Sequence, residues 1–165
     1  MENENSVKLT VFTPAYNRAH TIHRTYESLC RQSCKDFIWL IVDDGSSDNT
    51  GDLVREWQER DNGFRIEYVY KENGGMHTAH NTAYEHIFTE LNVCIDSDDA
   101  LHEGAVEHIL SLWAEKGGPA HPEIAGIIGL DADMNCFLQE KQYSVDDEVI
   151  RQEECHKAEY SLKCL

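Results

Sequence analysis

Short, unbroken apolar runs alternate along the chain with stretches in which apolar residues return every three or four positions. Residues 8–14 (KLTVFTP) form a buried strand that Pro14 should end, because proline cannot donate to a ladder. Residues 19–32 (AHTIHRTYESLCRQ) set Ile22, Tyr26, Leu29 and Cys30 on one helical face. Residues 37–51 (FIWLIVDDGSSDNTG) are a second apolar strand running into a turn of Asp, Gly and Ser. A helix follows over 50–60 with Leu53, Val54 and Trp57 inward, then an alternating strand over 64–70 (FRIEYVY). The pattern repeats with a helix over 77–88, where Ala79, Ala83 and Ile87 align, and a short strand over 91–95 (LNVCI). An amphipathic helix over 103–118, stopped by glycines and Pro119, precedes a strand over 124–130 (IAGIIGL).

Strand centres spaced roughly thirty residues apart with helices between them are the signature of βαβ units. Right-handed crossovers then predict an α/β fold, a three-layer α/β/α arrangement with a mostly parallel central sheet. After Leu130 the period fades, and Asp146, Asp147, Glu148, Glu153 and Glu154 read as a solvated helix face or an acidic tail.

Charge narrows the partners. Among 165 residues, 31 Asp and Glu against 14 Lys and Arg give a net charge of −17, which disfavours nucleic-acid backbones and anionic lipid. An anionic ligand would need a metal ion or a few local cations to override that field. The six cysteines contain no C-x-x-C pair, so reduced thiols in a cytosolic protein are expected ahead of a zinc site. No run approaches 18 apolar residues and the start, MENENSVK, is polar, so neither a membrane span nor a signal peptide is expected.

Ligands of open α/β sheets bind beyond the carboxyl ends of the strands. Each suggestive polar cluster lies there: TPAYNR, DDGSSD, KENGG and DSDD, after the first to fourth strands. Asp96, Asp98 and Asp99 raise one another's pKa unless a cation sits among them. A hard divalent cation suits such carboxylates, with phosphate oxygens and water completing its shell. Extended backbone would point Asp96 and Asp98 to one side. The competing reading is that these acids cap the following helix, Asp99 above all. In DDGSSD, Gly45 permits a turn and Ser47 or Asp48 can cap the next helix, which leaves Asp43 and Asp44 ending a buried strand. One of them could accept the imide N–H of a uracil ring. In NGGMHTAHN the glycines allow close backbone approach, and the helix start offers N–H groups to phosphate. His77, His80 and His86 do not share one helical face and read as ordinary surface or cleft histidines. No G-x-G-x-x-G follows the first strand, and no Walker A, H-E-x-x-H or G-x-S-x-G motif occurs.

Taken in order, TVFTPAYNRAHTI, IVDDGSSDNT, ENGGMHTAHNTA and CIDSDD resemble the nucleotide-sugar-binding half of a GT-A fold, family 2 inverting glycosyltransferase. Within that family the resemblance is to bacterial enzymes of capsule or cell-surface polysaccharide assembly, and it covers residues 7 to about 135. It implies a UDP-sugar donor, with Pro14, Tyr16 and neighbouring backbone flanking the base, Asp44 on uracil, and Ala15, Asn17 and Arg18 among the nucleotide-sugar contacts. It implies further donor contacts from Gly74, Gly75, His80, Asp96 and Ser97, and an Asp96–Asp98 pair that holds Mg2+ or Mn2+ on the diphosphate. A saccharide or lipid-linked acceptor and a cytoplasmic site, or one at the inner face of the membrane, follow from the same resemblance, and no nucleic acid is expected. Residues 1–135 would then be the donor-binding core and 136–165 the start of an acceptor-side region or an acidic tail, truncated there. No acid among Asp131, Asp133, Asp146 and Asp147 sits in a recognisable base motif, so no catalytic base is assigned. Two alternatives stand beside this reading. One is a non-catalytic nucleotide-sugar-binding module completed by a partner or a missing C-terminal half. The other is a nucleotidyltransferase, for which the basic Gly-rich loop after the first strand is lacking.

Overall fold

The computed structural model describes residues 7–116, 120, 124–127 and 149–151, and the chain divides into two compact units, 1–108 and 109–165. The first unit carries a four-stranded parallel sheet of β1 (Leu9–Ala15), β2 (Phe37–Asp43), β3 (Arg65–Tyr70) and β4 (Leu91–Cys94), in the order β3-β2-β1-β4. Leu9 lies opposite Phe37 on one side and Leu91 on the other, and Ile38 lies opposite Arg65. The two central strands are covered on both faces, which is why β1 and β2 read as continuous apolar runs, whereas edge strand β3 alternates.

Helix α1 (Ile22–Cys30) and helix α2 (Thr50–Gln58) cover one face of the sheet. There Tyr26 of α1 stacks on Trp57 of α2 with ring centroids 4.3 Å apart and planes 3° from parallel, and both rings lie near Trp39 of β2. The indole N–H of Trp39 donates to Thr13 Oγ1 at 3.0 Å, so the ring is anchored at its polar end as well. Helix α3 (Met76–His86) takes the opposite face, where Ala79 and Ala83 pack on Phe12, Leu40 and Val42. The change of face is forced: the chain moves outward from β1 to β3 and then returns to the far side of β1, and a right-handed crossover in the reverse direction must pass on the other face. Helix α4 (Ala105–Glu115) follows β4. No helix of the described residues is long and apolar enough to cross a membrane.

Four expectations are corrected. Pro14 does not end its strand, which runs to Ala15 and keeps Pro14 opposite Val42. The hydrogen bonds explain this: Ala15 O accepts from Asp44 N on the β2 side, while Phe12 O accepts from Ile95 N on the β4 side. By that alternation, the side of Pro14 that lacks an N–H faces β4 just where its ladder ends. Cys30 is exposed, and α1 instead buries Thr25 and Ser28 beside Ile22, Tyr26 and Leu29. Ile87 lies beyond α3 in extended backbone, although it still packs against the Phe12 cluster. Of the strand expected over 124–130, the described part is β5 (Ile124–Ile127), which is not a strand of the parallel sheet but pairs antiparallel with β6 (Val149–Arg151), with a register shift between Ile124 and Gly126. Asp131, Asp133, Asp146, Asp147 and the expected boundary at residue 135 lie outside the described residues.

Candidate functional site

The strand order reverses between β1 and β4, and the crevice at such a switch point is where open α/β sheets bind ligands. A pocket of about 480 Å³ opens there. The end of β1 and the loop after it supply Pro14, Ala15, Tyr16 and Arg18, and the end of β2 supplies Asp44. Asn73, Gly75, Met76 and Ala79 form the wall from the β3–α3 connection and α3, and Asp96, Ser97 and Asp98 close the far side after β4. The fold thus brings nine of the sequence-derived candidates to one cavity, counting Asp98. Asn17, Gly74 and His80 do not line it.

The two aspartates ending β2 have different fates. Asp43 is buried and turned into the fold: Oδ1 accepts from Ser46 N at 2.7 Å and Oδ2 from Tyr68 Oη at 2.6 Å. Burial and the Asp43 carboxylate together push the Tyr68 phenol far above its ordinary range. Asp44 is equally buried but faces the pocket, with Lys71 Nζ on Oδ1 as an ion pair. Gly74 N donates to Oδ1 at 3.0 Å and Gly75 N to Oδ2 at 2.7 Å. Burial alone would push this carboxyl up, but the Lys71 ammonium and the two glycine amides outweigh it and hold Asp44 below the usual carboxylate range. A carboxylate has about four acceptor positions, so these three donors leave one, on Oδ2. They also occupy the Gly74 and Gly75 amides, which the sequence had assigned to the ligand.

Glycine is required at two points of this frame. Gly75, at φ 93°, starts α3, and Gly45, at φ 81°, brings the β2–α2 loop so close to the β3–α3 loop that an added Cβ would sit 2.7 Å from Asn73 N. Asn17, itself at φ 53°, serves the frame in another way. Its Oδ1 accepts from Ser47 N at 2.8 Å and Asp48 N at 3.3 Å, and its own N–H donates to Ser46 Oγ at 2.8 Å. Arg18 N donates to Thr50 Oγ1 at 2.9 Å and Ala19 N to Asp48 Oδ2 at 3.0 Å, so the loops after β1 and β2 are joined along their length. Asp48 also accepts the Thr50 N–H at 3.0 Å, which satisfies the first N–H of α2 from one position before its N-cap, Asn49.

Asp96 and Asp98 meet the pocket through a turn, not through strand alternation. Asp99 N donates to Asp96 O at 3.0 Å, closing a four-residue turn from which both Asp96 and Asp98 line the cavity. Asp99 does not cap α4, whose first residue, Ala105, is six positions on. Among the described residues neither Asp96 nor Asp98 is ion-paired, and no group of three or more potential metal ligands occurs. Two carboxylates on one turn fit Mg2+ or Mn2+ when phosphate oxygens and water supply the remaining oxygens. His80 is set edge-on against Phe12 with centroids 5.4 Å apart, and His86 bonds Thr82 O within its own helix.

Sequence reasoning passed over Lys71, Asn73 and Ala79. Lys71 was visible in KENGG, but its partner lies 27 positions earlier and is fixed only by the pairing of β2 with β3.

Comparison with known proteins gives a consistent picture. The family model described as Glycosyl transferase family 2 matches residues 10–121, more than half of the chain. Glycosyltransferase GlyA of Streptococcus pneumoniae is 33% identical over 100 residues, which are 61% of this chain and 14% of GlyA. The crystal structure of Staphylococcus aureus TarS 1-349 in complex with UDP-GlcNAc shares the fold at a TM-score of 0.67 and 22% identity, over 81% of this chain and 37% of that one. Mannosyltransferase PcManGT from Pyrobaculum calidifontis, in complex with GDP-Man and Mn2+, matches with a TM-score of 0.60 and 27% identity over 65% of this chain and 32% of that one. The chain covers 14% of the length of GlyA and 42% of that of the putative teichuronic acid biosynthesis glycosyltransferase TuaG of Bacillus subtilis, less than half of either.

Proposed function

The chain belongs to glycosyl transferase family 2, and from that premise we propose that its switch-point pocket binds a UDP-sugar and carries the donor half of an inverting glycosyl transfer. The observation that carries this reading is the meeting of Asp44, Arg18, Asp96 and Asp98 in one cavity at the carboxyl edge of the sheet.

The base would enter between Tyr16 and the wall formed by Met76 and Ala79, with Pro14 and Ala15 beneath it. The acceptor position left on Asp44 Oδ2 suits the imide N–H of uracil. Cytosine carries no hydrogen there and would leave that buried lone pair unpaired. Lys71 and the two glycine amides hold Asp44 ionised and in place, so the contact is preorganised. Charge explains the rest. Lys71 cancels Asp44, and Arg18 offsets one of Asp96 and Asp98, which leaves the pocket with one net negative charge facing an anionic donor. Asp96 and Asp98 would hold Mg2+ or Mn2+, which when bound supplies the positive charge that stabilises the departing nucleoside diphosphate. The Mn2+ complex of PcManGT supports that assignment. Arg18 would meet phosphate oxygens at the opposite wall. The acceptor hydroxyl, of a saccharide or lipid-linked glycan in cell-surface polysaccharide synthesis on the cytoplasmic side, would attack the anomeric carbon from the face away from the diphosphate.

Calorimetry with UDP, in the presence and absence of Mn2+, tests the proposal. Binding in Mn2+ that weakens at least about tenfold without it, and loss of that metal dependence in Asp98→Ala, are expected. Absence of UDP binding in Mn2+, equal binding by Asp98→Ala, or tighter binding of CDP or GDP would overturn it.

A further inference from the structure

Helix α1 has a second buried edge that its hydrophobic pattern hides. Thr25, Ser28 and Gln32 recur at spacings of three and four, on one side of the helix and its C-terminal turn, and are 0%, 0% and 3% exposed. Three polar side chains in a row at such depth are uncommon unless each has partners, because an unpaired buried hydroxyl or amide is costly. Five of their seven hydrogen bonds go to backbone groups of the segment from Asp96 to Val106, and the other two go to carbonyls of α1 itself.

Thr25 Oγ1 lies 2.8 Å from Asp99 O and 3.3 Å from Asp96 O, so its hydroxyl donates at the two carbonyls that bracket the acidic turn. Ser28 Oγ donates to Thr25 O at 2.8 Å and accepts from Leu101 N at 3.1 Å. The Gln32 amide donates to His102 O at 2.8 Å and accepts from Val106 N at 3.1 Å. Ser33 N adds a bond to Glu103 O at 2.8 Å. Residues 96–104 belong to no helix or strand, and the edge of α1 partners several of their backbone groups: Asp96 O, Asp99 O, Leu101 N and His102 O. Apolar side chains could have packed a helix here equally well, but they could not have fixed an irregular loop in one conformation.

We infer that Thr25, Ser28 and Gln32 are positioning residues, with Thr25 the one that sets the Asp96–Asp98 turn for donor and metal binding; this rests on the donor-site reading above. Thr25 is buried and does not line the pocket. It acts through the carbonyls at either end of the turn, and so on the spacing of two carboxylates that must share one cation. The role asks for a hydroxyl at residue 25, not for a β-branched shape.

The test uses the whole chain and three variants. Thr25→Val keeps the volume and removes the donor, Thr25→Ser keeps the donor, and Thr25→Ala replaces the valine variant if that one does not fold. Two readouts are taken: amide hydrogen exchange at residues 96–101 without ligand, and the ratio of UDP affinities with and without Mn2+. The inference expects Thr25→Val to speed exchange in the turn and to weaken UDP binding in Mn2+ about tenfold or more, with metal-free binding little changed. Thr25→Ser should restore both. An equal loss of affinity with and without Mn2+ would mark a general structural defect and overturn the inference. Binding and exchange unchanged in Thr25→Val beside a wild type that binds would overturn this inference alone. A wild type that does not bind UDP in Mn2+ overturns the donor-site reading and takes this inference with it.

Discussion

Replacing Lys71 with methionine isolates the energetics of the pocket floor. The Asp44 side chain is 5% exposed and that of Lys71 20%, so the pair is largely but not wholly desolvated. Stranding one partner of a fully buried pair costs about 3–5 kcal/mol. Here the Lys71 end is partly screened, and Asp44 keeps the Gly74 and Gly75 amides, so a loss of about 2–3 kcal/mol at neutral pH is expected. Urea unfolding followed by tryptophan fluorescence is the assay, because Trp39 and Trp57 stack with Tyr26 in the same unit. The pH dependence carries the decisive sign. In the wild type, burial pushes Asp44 up, but Lys71 and the glycine amides hold it below the free value; its contribution is present above about pH 4 and is lost as pH falls through the depressed folded value. In Lys71→Met burial is no longer outweighed, the carboxyl titrates higher, and protonation relieves the stranded charge. The gap between the two proteins should therefore narrow as pH falls from neutrality towards the free carboxyl value of about 4. A gap that stays constant over that range, or a variant as stable as the wild type at neutrality, would refute the reasoning.

Other consequences can be measured directly. Gly45→Ala combines a left-handed φ with a Cβ 2.7 Å from Asn73 N, and should cost about 2–3 kcal/mol by the same unfolding assay. Tyr68→Phe leaves Asp43 with Ser46 N as its remaining donor and should cost about 1–2 kcal/mol at neutral pH. Because burial and Asp43 raise the Tyr68 pKa, that contribution is complete below the free tyrosine value and disappears only as alkaline pH passes the raised folded one, which ultraviolet titration of the phenolate would follow. Asn17→Ala should destabilise by about 1–3 kcal/mol through strain at φ 53° and loss of the Ser47 and Asp48 bonds, and Asn17→Gly by less, since glycine removes the strain alone.

The sheet was legible because its central strands are buried on both faces and so carry no charged residue from Leu9 to Ala15 or from Phe37 to Val42. The pocket wall was legible because its residues cluster at strand ends in sequence: Pro14 to Arg18, Asp44, and Asp96 to Asp98. What stayed hidden depends on distant pairing. Asp43 and Asp44 are adjacent and chemically identical, and only the side of β2 on which each emerges sends one to Tyr68 and the other to Lys71. Asn17 read as a ligand contact because a polar loop residue gives no sign that its oxygen will bind the next loop. Thr25, Ser28 and Gln32 drew no assignment from the sequence, since periodicity picks out apolar positions and cannot see an irregular loop that needs donors and acceptors. The run at 124–130 has the composition of a buried parallel strand, yet pairing rather than composition decides its partner, and Ile124–Ile127 lies antiparallel to Val149–Arg151.

The central claim is that a divalent ion at the Asp96–Asp98 turn lets an acidic protein hold an anionic donor. Crystals grown with UDP and Mn2+, measured at the manganese absorption edge, test it most directly. The account predicts an anomalous peak bound by carboxylate oxygens of Asp96 or Asp98 and by the diphosphate, with the uracil ring against Asp44. UDP seated in the pocket without a peak at that turn, or a peak elsewhere with both carboxylates turned away from it, would contradict the account.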